Sequence, residues 1–595
     1  MNSETKTHST GSGQAKICQN CKKDFVIEPD DFAFYEKMKV PAPTWCPECR
    51  MIRRMLWRNE RALYRAACNL CGRDMISMYD PKSGLKVYCE KCWWQDGWDP
   101  MDYGLAYDFE QPFFLQWAKL LNRVPLIQAW RFNNVNSDYI NYATECKNCY
   151  LSSSVTFCEN ITYSFAVDKS QDIIDSSFVN KSNWCYENID SLNNYNSIFL
   201  QNCNNCIDSG FLYDCINCQN CFLSSNLRNK KYVFRNHQYS KYEYEKEMSG
   251  VKTNKSSILQ GLFSEFLEMK EKKSIHKYIQ AVNIANCSGD NIINSKNSIN
   301  SFGVFNCENI KNTFRMSDCK DCIDVFSAIK TELAYEGAAP DFNGADAQFV
   351  VTNQASHDIK YCSLCAFSSH LFACIGVRSK SYCILNKQYT KEQYEELLPK
   401  IIKHMNDVPY KDEKGRVYKY GEFFPTELSP FCYNETVAQE YFPLTKEEAS
   451  NHGYRWKDKE ERSYTADIKN GDIPEDINEV NEEIIGKVIE CAHEGECNEQ
   501  CTKAFKIIPQ ELQFYKKMNL PLPRLCPNCR HSQRFKQRNP LRLWHRQCMC
   551  DGSTSSPQAK NHHHSGKCPN EFETSYAADR PEIVYCEQCY NAEVA

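Results

Sequence analysis

Small and apolar residues recur at every third position over residues 147–182. The stretch reads as three units of twelve: KNCYLSSSVTFC, ENITYSFAVDKS and QDIIDSSFVNKS. Equivalent positions hold Cys149, Ile161 and Ile173; Ser152, Ser164 and Ser176; Val155, Val167 and Val179; and Cys158, Ser170 and Ser182. Strict alternation would indicate a strand with one buried face, and a spacing of about 3.6 a helix. A period of three inside a short fixed repeat is neither. It predicts a tight parallel β-solenoid in which like positions of successive turns stack about 4.8 Å apart. The expected fold is mainly β with helical caps: a solenoid of roughly twelve-residue rungs, duplicated, with small zinc-binding domains at its flanks.

Register is expected to loosen through SNWCYENIDSLNNYNS and to return with Cys206, Ser209, Leu212 and Cys215 inward. A second run places Ile310, Thr313, Met316 and Cys319 inward, then Cys322, Val325, Ala328 and Thr331. The runs belong to a duplication with an offset of 150, in which Arg228, Tyr232, Asn236, Gln238 and Tyr244 recur as Arg378, Tyr382, Asn386, Gln388 and Tyr394. Each copy continues into a helix that opens on a capping box, Ser240/Glu243 and Thr390/Gln393. Such helices are expected to cover the raw backbone edges of each run.

The plan along the chain follows. A disordered leader (1–15) precedes a double zinc domain (16–92) and a helical, aromatic docking segment (93–132). The first run with its capping helices spans 133–280, and the second run with its helix spans 281–405. A linker with short helices and an acidic end (406–490) leads to a second double zinc domain (491–595). From residue 472 to 499 there are ten Asp or Glu and one Lys, which reads as a solvated linker.

Composition matters chiefly through its 36 cysteines. No run of eighteen apolar residues exists, and the opening lacks the apolar core of a signal peptide, so a cytoplasmic protein without a membrane span is expected. In a reducing compartment the cysteines are thiols or metal ligands, not disulfides. Cys18-x2-Cys21 with Cys46-x2-Cys49, and Cys68-x2-Cys71 with Cys89-x2-Cys92, each have the spacing of a tetrahedral zinc shell. The end of the chain repeats this at an offset of 480, with Cys497-x3-Cys501 and Cys526-x2-Cys529; Cys491 is a substitute for the first ligand. The last set holds Cys568, Cys586 and Cys589 with either Cys548 or Cys550, across an inserted loop carrying His562, His563 and His564. About four structural Zn²⁺ sites are expected. Cysteines inside the runs, such as Cys146/Cys149 and Cys203/Cys206, follow from core packing of small residues at the inward period.

KICQNCKKDFVIEPDDFAFYEKMKVPAPTWCPECR and ECNEQCTKAFKIIPQELQFYKKMNLPLPRLCPNCR resemble the treble-clef "probable zinc-ribbon" family: Cys-x2-Cys, a Phe-rich hairpin, Phe-Tyr, then Cys-x2-Cys-Arg. The resemblance covers about 35 residues at each end, and Cys497-x3-Cys501 departs from its pattern. The whole plan is similar to uncharacterised bacterial proteins with zinc ends around Cys/Asn-rich repeats. The inward Cys-x2-Ser-x2-Val-x2-Cys pattern resembles the coil of insect antifreeze proteins, without their Thr-x-Thr face, so only the fold analogy carries over.

Arginine supplies the functional hint. Arg50, Arg54 and Arg58 lie at helical spacing directly after a zinc pair, and Arg530, Arg534 and Arg538 repeat them. Residues 524–546 carry seven basic residues and no acid. With Trp57 and Trp544 available for stacking, such a face suits phosphate contact; the alternative is a solvated helix paired with acidic segments. The function expected is a non-enzymatic, zinc-stabilised binding or scaffold protein contacting RNA, DNA or a ribonucleoprotein, or otherwise an unknown protein. The alternative is a carbohydrate-active enzyme using carboxylates of the rod flank, such as Asp208, Asp214 or Asp324. No nucleophile or base is named by any local constellation.

Overall fold

A computed structural model describes residues 13–339, 343–458, 465–497, 499–552 and 562–594. Two compact units emerge, and each draws on separate stretches of the chain. The first comprises Met1–Gln128, Ala281–Ser288 and Ile292–Lys457; the second comprises Ala129–Gln280, Gly289–Asn291 and Asp458–Ala595. Within each unit one terminal cysteine-rich module accompanies one of the two runs: the N-terminal module accompanies the second run, and the C-terminal module the first.

In the second unit the ladder is parallel and advances by twelve. Ile161 pairs with Ile173, Ile173 with Cys185, and Cys185 with Ser197; alongside, Val155 pairs with Val167, Val167 with Val179, and Val179 with Ser191. Every third residue is left-handed, as at Asn148 (φ 54°), Leu151 (43°), Ser154 (55°) and Phe157 (53°). Each repeat therefore reads inward, outward, left-handed, and the backbone turns four times per rung. An L-residue pays about 1–2 kcal/mol for that conformation, least for Asn and Asp, which accounts for the Asn-rich composition. The amides also stack: Asn136 donates to Asn148 (2.9 Å), Asn148 to Asn160 (3.1 Å), and Asn160 to Asp172 (2.8 Å).

Inward side chains do two jobs. They fill the narrow core made by Ala143, Cys146, Cys149, Val155, Ile161, Val167 and their neighbours. They also satisfy corner amides that have no ladder partner and give corner carbonyls a second bond. The Ser164 hydroxyl donates to the Thr162 carbonyl (3.0 Å) and accepts the Ser176 N–H (3.1 Å); the Ser176 hydroxyl accepts the Asn188 N–H (3.0 Å). A thiol serves in the same place, since Cys146 Sγ donates to the carbonyls of Thr144 (3.3 Å) and Val155 (3.4 Å).

The loosening of register expected after residue 182 does not occur. Pairing stays at twelve through Ile189–Gln201 and Leu200–Leu212. The polar residues that suggested a break, Asn188 and Asn194, are buried inward residues. Their amide oxygens accept the N–H groups of Leu200 (3.0 Å) and Cys206 (2.8 Å), as a serine hydroxyl would.

In the first unit the second run repeats the design, with Ser298 paired to Ile310, Ile310 to Cys322, and Cys322 to Ala334. One rung holds thirteen residues, pairing Ala334 with Ala347. Each run ends in an antiparallel turn-back, Val233 with Gln238 and Cys383 with Gln388. Both capping boxes then form, opening the helices Lys241–Ser249 and Lys391–Asp407. Tyr244 and Tyr394 lay these helices on the last rungs, each with its ring centroid 5.8 Å from Tyr232 or Tyr382.

Two parts of the expected plan change. Leader residues 1–12 lie outside the described residues, but Gln14–Ile17 forms a strand paired with Asp24–Ile27. The acidic stretch is not a solvated linker: Ile473, Ile477, Val480, Ile484 and Ile489 are buried in the core of the second unit. Its acids fall between apolar residues spaced three to five apart. Counting charge alone missed that stripe.

Candidate metal centres

In each terminal module a short hairpin presents one cysteine pair and a helix start presents the other. Cys18 follows the strand Gln14–Ile17; Cys46 caps the helix Pro47–Met55, which begins with proline at its first position. The Cys46 N–H donates to Cys18 Sγ (3.2 Å), Cys21 Sγ lies 3.7 Å from Cys46 Sγ, and the Asn20 amide donates to Cys49 Sγ (3.3 Å). The second set has the same form: the Cys89 N–H donates to Cys68 Sγ (3.2 Å), and Cys71 Sγ lies 3.9 Å from Cys89 Sγ. Four metal–sulfur bonds of about 2.3 Å in a tetrahedron set sulfur atoms about 3.8 Å apart. In both groups all four sulfur atoms lie within 4.8 Å of one another, and the helix N-termini favour the thiolate form.

That backbone-to-sulfur bond identifies the equivalent ligands at the other end of the chain. The Cys526 N–H donates to Cys491 Sγ (3.2 Å) and the Cys586 N–H to Cys548 Sγ (3.2 Å). The third group is therefore Cys491, Cys501, Cys526 and Cys529, and the fourth Cys548, Cys568, Cys586 and Cys589. Of the two first ligands that the sequence offers, Cys497 and Cys491, this group takes Cys491. Cys491 follows the strand Ile489–Glu490, which pairs with Ala504–Phe505 as the first strand pairs with its neighbour, and a longer loop separates it from Cys501. Cys497 still lies beside this group, its Sγ 3.6 Å from that of Cys529. Between Cys548 and Cys550, the tetra-thiolate group takes Cys548.

The arginines do not make a face open to phosphate. Arg50, Arg54 and Arg58 are buried, as are Arg530 and Arg534, and the Arg538 side chain is 7 % exposed. In the first unit Arg50 meets Asp324 (2.7 Å), Arg54 meets Glu336 (2.9 Å), and Arg53 meets Glu336 (3.0 Å) and Glu422 (2.7 Å). Arg58 pairs with Glu60. In the second unit Arg530 pairs with Asp175, Arg534 bridges Asp175 and Glu187 (3.0 Å each), and Arg538 meets Asp190 (2.9 Å) over the Phe178 ring. Asp175 and Glu187 stand one rung apart, and so do Asp324 and Glu336. A helix that starts at a cysteine ligand thus locks its arginines onto stacked carboxylates of the run in its own unit. Trp57 is likewise enclosed, edge-on to Trp117 at 5.5 Å.

The three rod acids considered for catalysis have partners too. Asp324 is held by Arg50 and Arg54. Asp214 takes Arg228 (3.0 Å) and the Tyr590 hydroxyl. Asp208 accepts from Asn196 in the amide ladder (2.7 Å). Residue order gave no warning of one polar cluster: the Tyr213 hydroxyl lies 2.7 Å from His276 Nδ1, which is 3.1 Å from the Tyr576 hydroxyl, while His276 Nε2 meets the Lys270 carbonyl (2.8 Å). Burial pulls His276 down to about 4 and Lys270 down to about 8. These residues come from the first run, the helix Ser256–Lys272, the strand Ile275–Lys277 and the last module, so no local motif contains them.

No family model matches the chain, and no curated protein matches it. Among solved structures, a "putative acetyltransferase" from Desulfovibrio desulfuricans G20 is similar over 49% of this chain and 86% of its own length, at 9% identity and a TM-score of 0.11. A likeness of that size carries no argument about fold or activity. Among the described residues no helix is long and apolar enough to cross a membrane.

Proposed function

We propose that this protein is a zinc-organised, non-enzymatic scaffold. Its two runs are β-solenoid rods, and each is fastened to a double zinc module of the treble-clef and ribbon kind. The observation that carries the reading is the coupling of ligand to lock. Cys46 and Cys526 cap the very helices whose arginines enter buried carboxylate sites on the rods. Closed all-thiolate shells leave no open coordination position, so the ions shape the protein and perform no hydrolysis. All 36 cysteines are free of disulfides, which supports a reducing, cytoplasmic setting. The pairing of these arginines with buried carboxylates supports a structural role for them over a phosphate-binding one, and the arginine partners of Asp214 and Asp324 support a structural role for those acids.

Native mass spectrometry of the reduced full-length protein should find at least four zinc ions per chain. Stripping them with a strong chelator should abolish protease resistance. A metal-free protein that remains fully folded would overturn the proposal.

A further inference from the structure

The last module carries more ligands than one ion can use. Beside the tetra-thiolate group, Cys550, His562, His564 and Cys589 bring four donor atoms within 4.8 Å of one another. Cys550 Sγ lies 3.6 Å from His562 Nδ1, and His564 Nε2 lies 3.2 Å from Cys589 Sγ. A tetrahedral shell with bonds of about 2.3 Å to sulfur and 2.0–2.1 Å to nitrogen sets sulfur and nitrogen roughly 3.5 Å apart. Cys589 belongs to both groups.

We infer that this module binds two borderline-soft divalent ions, bridged by the Cys589 thiolate, with the second in a Cys2His2 shell. The inference rests on reading the tetra-thiolate groups as zinc sites. Three further observations carry it. First, each histidine has its other ring nitrogen engaged. His562 Nε2 meets Glu593 Oε1 at 2.9 Å, with the Glu593 side chain fully buried, and His564 Nδ1 meets the Gly566 carbonyl at 2.8 Å. Those partners fix the tautomers that leave His562 Nδ1 and His564 Nε2 free to coordinate, the arrangement that orients metal-bound histidines.

Second, the loop that delivers the histidines is closed at its base. The Cys568 N–H donates to the Cys550 carbonyl (2.8 Å). Gly552 and Gly566 both adopt left-handed conformations, and a Cβ on Gly552 would meet the Gly566 backbone at 3.1 Å, so the close crossing demands glycine. Third, the extra ligands come with the insertion. The N-terminal counterpart, Cys68-x2-Cys71, has two intervening residues and no histidine there, and forms a tetra-thiolate group alone. A second dication also offsets much of the negative charge that five clustered thiolates carry.

The test is metal stoichiometry on the full-length, zinc-reconstituted protein by native mass spectrometry, with cadmium-113 NMR after exchange. Wild type should hold five ions per chain and show a resonance from a mixed nitrogen and sulfur environment. Cys550→Ser should lose one ion and that resonance. The double variant His562→Ala/His564→Ala, confined to the loop, should do the same with its far-UV circular dichroism unchanged, and guards against a folding defect in the first variant. Four ions in wild type, or five retained in both variants, would overturn the second site while leaving the tetra-thiolate reading intact. No bound zinc at all would sink both.

Discussion

The two locks look alike but differ in charge. In the first unit Arg50, Arg53, Arg54 and Lys311 face Asp31, Asp324, Glu336 and Glu422, with Lys311 on both Asp31 oxygens at 2.7 and 2.8 Å. Cations and anions balance. In the second unit Arg530 and Arg534 face Asp175, Glu187 and Glu511, because Gln533 stands where Arg53 would and Thr162 where Lys311 would, the offset being 149 ahead of the thirteen-residue rung. Tyrosine hydroxyls make up part of the deficit: Tyr163 and Tyr515 each donate to Glu511 at 3.0 Å. The titration directions follow for the glutamates, although burial also raises Asp324 in the first unit against the pull of Arg50 and Arg54. Burial pushes Glu336 up, but its three arginines overcome this and hold it below the usual carboxylate range. Burial pushes Glu511 up to about 7 against the pull of Arg530, and raises Glu187 likewise. A buried ion pair holds its charge only where partners are sufficient.

The largest expected effect tests that asymmetry. Glu336→Gln removes the carboxylate shared by Arg50, Arg53 and Arg54, leaving three buried guanidinium groups to share Asp324 and Glu422, and should cost about 3–5 kcal/mol. Glu187→Gln resembles the neutral form that this raised carboxyl takes up below about pH 7, and at about pH 6 it should cost less than about 1 kcal/mol. Urea unfolding of the zinc-loaded protein measures both, and equal losses would break the comparison.

A smaller effect concerns pH. The folded pKa of Glu511 lies above its unfolded value of about 4.5. Its contribution is therefore complete below the unfolded pKa and disappears as pH rises through about 7. Between pH 5.5 and 7, wild type should lose about 2 kcal/mol relative to Glu511→Gln. Parallel stability curves for the two proteins would show that the carboxyl is ionised throughout.

The units should agree where their geometry does. Ser164→Ala in one run and Ser295→Ala in the other each remove a hydroxyl that accepts the N–H twelve residues on, from Ser176 (3.1 Å) and Cys307 (3.0 Å). Both should cost about 1 kcal/mol. Replacement by cysteine should cost less, since thiols already occupy this position; a larger loss for cysteine than for alanine in thermal melts would refute that equivalence. The smallest change is expected for the exposed amide ladder. Asn309→Ala removes a bond to Asp321 (2.9 Å) and the residue type that best tolerates φ 54°, for less than about 1 kcal/mol.

Much of this was legible in the chain. The period of three at Ser164, Val167, Ser170 and Ile173 reported inward positions, because side-chain size is selected there. The capping boxes at Ser240 and Thr390 were local, and local signals survive folding. The cysteine groups were visible, with Cys491 and Cys497 both open for one position until strand pairing placed Cys491. The locks could not be read. Asp175 and Glu187 sit among Asn and Asp residues that build ladders, and only their contact with a helix about 350 residues away separates them from their neighbours. Their spacing of twelve, repeated by Asp324 and Glu336, was the available sign.

Pitch has a consequence of its own. Four residues of helix rise about 6.0 Å, whereas neighbouring strands of the ladder stand about 4.8 Å apart, so arginines four apart and acids twelve apart differ in spacing by roughly 1.2 Å at every step. Two scales of unequal division coincide over a short span only. Arg530 and Arg534 find acids one rung apart, and the helices then stop, at Lys536 in one unit and at Met55 in the other, so the third arginine lies past the end and turns to Asp190 or to Glu60 of its own module. A helix continued past that point would carry its next arginine further off the scale.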